Sequence, residues 1–99
     1  MKEIACKVML KGRVTGVGFR WAALERASQI PGLKGYVCNL GHGEVEVFLQ
    51  GERIAVDSML EWLGRGPAWA RVDEMNLVDV EPDPSATSFE IKEGGSWLA

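Results

Sequence analysis

An arginine directly behind a cluster of glycines is a combination that can hold an anion. In "KGRVTGVGFRW", residues 11 to 21, Gly12, Gly16 and Gly18 fall within seven positions and Arg20 follows two residues later. Glycine loses the most backbone freedom on folding, so such a cluster needs a sharp turn or a close approach to the backbone. Here the cluster separates an alternating stretch from a helical one, which places it between a strand and a helix N-terminus. The first amides of a helix have no partner inside it, and the helix dipole adds partial positive charge at that end. Glycines let successive N–H groups point into one concavity. The Arg20 guanidinium offers a planar fork that matches two phosphate oxygens. "GRVTGVGFR" therefore reads as a phosphate cradle closed by an arginine. It is neither common nucleotide loop, because no lysine follows the glycines and Trp21 stands where the dinucleotide fingerprint needs its third glycine. The spacing alone also fits a tight strand-to-helix turn with Arg20 in solvent.

The elements around the loop follow from periodicity. Residues 3 to 10 alternate, with Ile4, Cys6, Val8 and Leu10 on one face, which predicts a half-buried strand. Phe19, Ala22, Ala23, Ala27 and Ile30 recur at helical spacing, so a helix runs from about Phe19 to Gln29 and stops at Pro31 and Gly32. "LKGYVCNL" and "EVEVFLQG" are two strands joined by a short hairpin at "GHG". After Gly51, Val56, Met59, Leu60 and Leu63 mark a second helix, with Gly64 as its stop. "GRGPAWA" is a loop, and "RVDEMNLVDVE" holds a strand with Val72, Met75, Leu77 and Val80 as candidates for burial. "PDPSAT" is a turn, "SFEIKE" a short last strand, and the tail "GGSWLA" carries no assignment. The order is βαββαβ plus a short final strand. That is an α+β, two-layer, ferredoxin-like sandwich, with two helices on one face of an antiparallel sheet. This frame serves enzymes, RNA binders and small-molecule sensors alike, so the function has to come from the site.

Composition narrows the classes. The 99 residues are 46% hydrophobic and 25% charged, ordinary globular values that predict one domain over residues 1–99. The net charge of −3 argues against a broad nucleic-acid surface, although a small local anion site remains compatible with it. No apolar run approaches the roughly 18 residues of a membrane span. "MKEIACKVML" lacks the layout of a signal peptide. Cys6 and Cys38 fit no zinc spacing and read as two reduced thiols, so the expected location is cytoplasmic. His42, the single histidine, lacks neighbours that could complete a metal site and reads as a turn residue.

Taken together, these stretches resemble a known family. "GRVTGVGFR" is similar to the signature of the acylphosphatases, small enzymes that hydrolyse the carboxyl-phosphate bond. "GLKGYVCNLGHGEVEVFLQG" resembles the family's second block, with its central asparagine, "GRGPAWARVDEM" the segment after the second helix, and "FEI" the last strand. The resemblance covers nearly the whole chain. It implies that Arg20 binds phosphate and that Asn39 orients the attacking water. It also implies that the loop amides of Thr15, Gly16, Val17, Gly18 and Phe19 hold the phosphate oxygens. It implies no cofactor and no metal, an acyl phosphate as small-molecule substrate, inorganic phosphate as product, no nucleic-acid or membrane partner, and a monomer. The sequence departs from the family pattern at three positions. Thr15 stands where glutamine is common, Tyr36 where tryptophan is common, and Cys38 where the residue is often basic, a loss of charge that would weaken attraction for anions. The Pro31 segment also lengthens the approach to the second strand by about one residue. Without the resemblance, Asn39 reads rather as a strand-end residue that helps the turn at Gly41.

The chemistry is coherent by itself. An acyl phosphate leaves as a carboxylate, which needs no proton, so a general acid is dispensable. Phosphoryl transfer passes through a loose transition state, and catalysis is mostly positioning and charge stabilisation. Glu44 and Glu46 alternate along a strand as a solvated face, and with Asp73 and Glu74 they make no convincing carboxylate pair. Three other readings use the same frame. An RNA-binding module would carry stacked aromatics on the central strands, where "CKVMLKG" has none and "EVEVFLQG" only Phe48. A phosphate-handling module of a larger machine would bind phosphate without turnover, and a sensor domain would dimerise without hydrolysis.

Overall fold

The computed structural model describes residues 2–16 and 18–92. Seven elements follow in chain order: β1 (Ile4–Arg13), α1 (Phe19–Ser28), β2 (Lys34–Gly41), β3 (Glu44–Gly51), α2 (Arg53–Arg65), β4 (Arg71–Val80) and β5 (Phe89–Lys92). The five strands form one sheet in the order β4-β1-β3-β2-β5. The four strands of the βαββαβ frame pair antiparallel, as the element order implies. β5 joins the β2 edge in parallel, which makes the whole sheet mixed. The tail "GGSWLA" lies outside the described residues.

The alternation in β1 decides which face is covered. Val8 pairs with Val47 and Leu10 with Val45, and Val47 pairs in turn with Val37. Directly opposite residues of a ladder share a face, so these valines and leucines form one apolar surface. Phe19, Ala23 and Ala27 of α1 and Ala55, Val56, Met59 and Leu63 of α2 close over it. The alanines keep α1 narrow where it packs on the sheet. Removing a ring as buried as that of Phe19 would cost about 3–5 kcal/mol.

Three sequence expectations need correction. β1 does not end at residue 10 but continues through a bulge between Lys11 and Gly12 to Arg13. Gly64 does not stop α2. It lies inside the last turn, and Gly66 caps the helix at φ 68°, donating its N–H to the Trp62 carbonyl at 2.7 Å. Met75 and Leu77 are not core residues. They align with Leu10 and Val8 but sit on the edge strand, where the helices leave them 36% and 45% exposed. Val72 and Val80 are half-buried.

The opposite face of the sheet carries a polar network that the sequence did not announce. Gln50 is only 2% exposed, yet it is fully engaged. Its Nε2 donates to Glu3 Oε1 at 3.0 Å and to the Asp83 carbonyl at 3.1 Å, and its Oε1 accepts from the Asp83 N–H at 2.7 Å. This ties the β4–β5 crossover to the sheet. Hydrogen bonds from Lys34 and then Gln50 hold the Glu3 carboxyl below its ordinary value. Nearby, Tyr36 stacks on Phe48 and donates its hydroxyl to Glu46 at 2.5 Å. Both cysteines are buried and neither forms a disulfide.

Two outcomes follow from this packing. A Cβ on Gly35, whose φ is +142°, would lie 1.7 Å from the Phe48 carbonyl oxygen, whereas one on Gly41 would meet nothing within 4 Å. Gly35→Ala is expected to cost about 3 kcal/mol or more in urea unfolding, with Gly41→Ala close to neutral. Burial, and then the Glu46 hydrogen bond, push the Tyr36 hydroxyl well above its ordinary value. Free tyrosine ionises near pH ~10. The neutral phenol therefore stabilises the fold fully below that pH, and this stability is lost as pH rises toward the folded value. Tyr36 is the single tyrosine, so native-state tyrosinate absorbance reports it directly. The absorbance should appear only at a pH clearly above that of the unfolded chain.

Candidate functional site

The glycine loop is built by three separate backbone demands. At Gly12 the neighbour strand comes so close that a Cβ would lie 2.3 Å from the Arg71 carbonyl oxygen. Gly16 and Gly18 have open space around them but adopt φ 73° and 77°, the left-handed region that L side chains avoid. Together they reverse the chain from the end of β1 into α1. Val14 is fully buried and pins the loop to the core, and Phe19 pins its other end. The Phe19 ring packs 5.8 Å from that of Trp62.

Gly18 is the N-cap of α1 and supplies no side-chain hydrogen bond, and the first turn contains no acidic residue. The helix thus presents its first amides and its positive dipole end without an internal counter-charge. Arg20 lies in this first turn. Among the described residues, no hydrogen bond or ion pair engages its guanidinium.

Asn39 reaches the same place from the other side. It is in β2 opposite Val45, on the face covered by the helices. Its Oδ1 is buried and, among the described residues, has no hydrogen-bond partner. A buried acceptor left unpaired costs about 1–3 kcal/mol unless something else fills it. Val14, Gly16, Gly18, Phe19, Arg20, Trp21 and Asn39 line one cavity of about 230 Å³. Five of the expected site residues therefore meet: Gly16, Gly18, Phe19, Arg20 and Asn39. Thr15 is not among the lining residues. It borders a separate hollow with Arg13, His42 and Arg71, and its Oγ1 accepts from the Gly43 N–H at 3.0 Å. Val17 lies outside the described residues. Cys38 pairs with Glu46 on the other face of the sheet, so its missing charge is not a missing charge in the cavity.

Trp21 was not expected at the site. It is 68% exposed at the cavity rim, and its position next to Arg20 in the opening turn of α1 is the signal that could have placed it there. A larger hollow of about 460 Å³ lies against the open sheet face beside Tyr36, Phe48 and Lys92. Three of its polar side chains already have partners: the Tyr36 hydroxyl donates to Glu46, the Lys92 ammonium lies 4.4 Å from the centre of the Tyr36 ring, and Asp83 accepts from Ser85. The smaller cavity combines an unengaged guanidinium, uncapped helix amides and an orphaned amide oxygen, a set suited to an anion and a water.

The family model described as acylphosphatase matches residues 6–91. An acylphosphatase of Anaeromyxobacter dehalogenans is 38% identical over 90 residues, covering 91% of this chain and 96% of the relative. The structure of an acylphosphatase from Coxiella burnetii superposes with a TM-score of 0.80 at 36% identity, covering 91% of this chain and 93% of that one. The acylphosphatase from Bacillus subtilis superposes with a TM-score of 0.82 at 27% identity, covering 90% and 98%. No helix among the described residues is long and apolar enough to cross a membrane.

The loop geometry sets a specific expectation. Gly16→Ala and Gly18→Ala should each lower stability by about 1–2 kcal/mol in denaturant unfolding, through backbone strain alone, since neither new methyl group would touch a neighbour.

Proposed function

Because the chain belongs to the acylphosphatase family, we propose that it hydrolyses acyl phosphates in the cavity between the glycine loop and Asn39. The family reaction converts an acyl phosphate and water to a carboxylate and inorganic phosphate. In our reading, Arg20 and the backbone amides of Thr15, Gly16, Val17, Gly18 and Phe19 hold the phosphoryl oxygens. Asn39 orients the water. The observation that carries this assignment is the buried, unpartnered Oδ1 of Asn39 lining the same cavity as Arg20 and the left-handed glycines.

The roles follow from the groups. An amide oxygen accepts a hydrogen bond from water but is too weak a base to take its proton. Asn39 therefore aligns the water while its lone pair attacks phosphorus. The bond from phosphorus to the acyl oxygen breaks, and its electron pair leaves on the carboxylate, which needs no proton. The proton released by the water passes to a phosphoryl oxygen of the substrate. Arg20 and the amides stabilise the charge on the equatorial oxygens throughout. Bringing the water and phosphate into line is itself worth several orders of magnitude in rate. No step is routed through a metal or cofactor. Residues 1–99 act on this reading as one monomeric, cytoplasmic domain with no nucleic-acid or membrane partner.

The test is hydrolysis of benzoyl phosphate by the purified protein with EDTA present. Wild-type turnover should persist under chelation. Arg20→Ala should raise KM and lower kcat together, because phosphate contacts exist in both ground and transition states. Asn39→Ala should lower kcat by about 100-fold or more while inorganic phosphate still inhibits. A folded wild type that binds phosphate without turnover would instead assign the site to recognition.

A further inference from the structure

The loop and the asparagine belong to different chain segments, and something must fix the distance between them. The β2–β3 ladder cannot do this alone, because its register shifts between Asn39 and Gly41, immediately beyond the Asn39–Val45 pair. Gly43, at φ 78° in the turn that follows, makes two hydrogen bonds to the other segment. Its carbonyl accepts from the Gly12 N–H at 3.1 Å, and its N–H donates to Thr15 Oγ1 at 3.0 Å. The first bond reaches the base of the loop. The second reaches the residue that adjoins Gly16, where the left-handed turn begins.

From this geometry we infer that Thr15 is a positioning residue for the hydrolysis, its hydroxyl setting the spacing between the phosphate cradle and Asn39. Its side chain does not line the cavity, so it acts through the backbone on either side. Threonine suits the task. Its oxygen is one bond from Cβ and its χ1 is restricted by branching, so the bond to Gly43 permits little play. A glutamine at this position would reach through two more bonds with more rotamers. The inference rests on the site reading above.

The experiment compares Thr15→Val and Thr15→Ser with wild type and with Arg20→Ala, measuring kcat for benzoyl phosphate, the inhibition constant of inorganic phosphate, melting temperature and amide exchange at Gly43. Thr15→Val keeps the shape and removes the hydroxyl. It should speed exchange of the Gly43 amide and lower kcat by about 10-fold or more, since small misalignments are costly. The phosphate inhibition constant should change by less than about threefold. Thr15→Ser should recover most of the lost kcat and slow the exchange again. The inference is overturned if Thr15→Val exchanges Gly43 faster, or melts lower, with kcat unchanged. It is overturned equally if kcat and phosphate affinity fall by the same factor, which would make the Thr15 hydroxyl itself a phosphate ligand, or if serine recovers nothing. If Arg20→Ala keeps wild-type kinetics, the site reading itself falls and takes the inference with it. Loss of function in Arg20→Ala with an unaffected Thr15→Val removes the inference alone.

Discussion

The antiparallel ladder between β1 and β3 is the constraint on which the rest depends. Because β1 runs against β3 and β3 against β2, the outgoing end of β1 and the outgoing end of β2 arrive at the same edge of the domain. The glycine loop begins where β1 leaves the sheet, and Asn39 stands near the end of β2. Two parts of a site far apart in sequence are thus neighbours by topology, before any side chain contributes. Val8 and Leu10 on one strand and Val45, Val47 and Leu49 on the next make that ladder the most deeply buried part of the molecule.

An acidic chain that receives an anionic substrate must concentrate its positive charge. Among the described residues, the groups that the candidate site offers for this are few: the Arg20 guanidinium, which no hydrogen bond or ion pair engages, and the start of a helix whose first turn carries no carboxylate. Backbone groups are well suited to this. Groups held by the fold need little reorganisation as charge builds up in a transition state. Among the described residues, no acidic side chain lines the cavity, and a leaving carboxylate would need no acid.

The sequence made the site legible because it is written mostly in backbone demands. A glycine at a left-handed turn leaves a mark in composition, and Gly16 and Gly18 stand where two such turns occur. Asn39 could be read only with help from the family resemblance, since a strand-end asparagine reads rather as a turn residue. Periodicity located all seven elements but could not say which strand would be an edge, and so it over-buried Met75 and Leu77. Gly64 and Gly66 are indistinguishable as helix stops by type; the choice is made by the hydrogen bond from the Gly66 N–H to the Trp62 carbonyl and by the Gly66 φ of 68°. Gln50 and Thr15 left no signal of their side-chain contacts in the sequence. Each looks like an ordinary polar residue, and its partner lies more than twenty residues away, at Asp83 and Gly43.

Gln50 has one more consequence, for chemical ageing. It donates twice and accepts once, and among common side chains only an amide can do both at that reach; a carboxylate cannot donate, an ammonium cannot accept, and asparagine is one methylene short. Hydrolytic deamidation of this one side chain would convert it to a carboxylate facing the Glu3 carboxylate and the Asp83 carbonyl. The donors would vanish and like charges would meet in a place almost sealed from water. Sealing from solvent also keeps the hydrolysing water out, so the packing that makes the change harmful is the same packing that delays it.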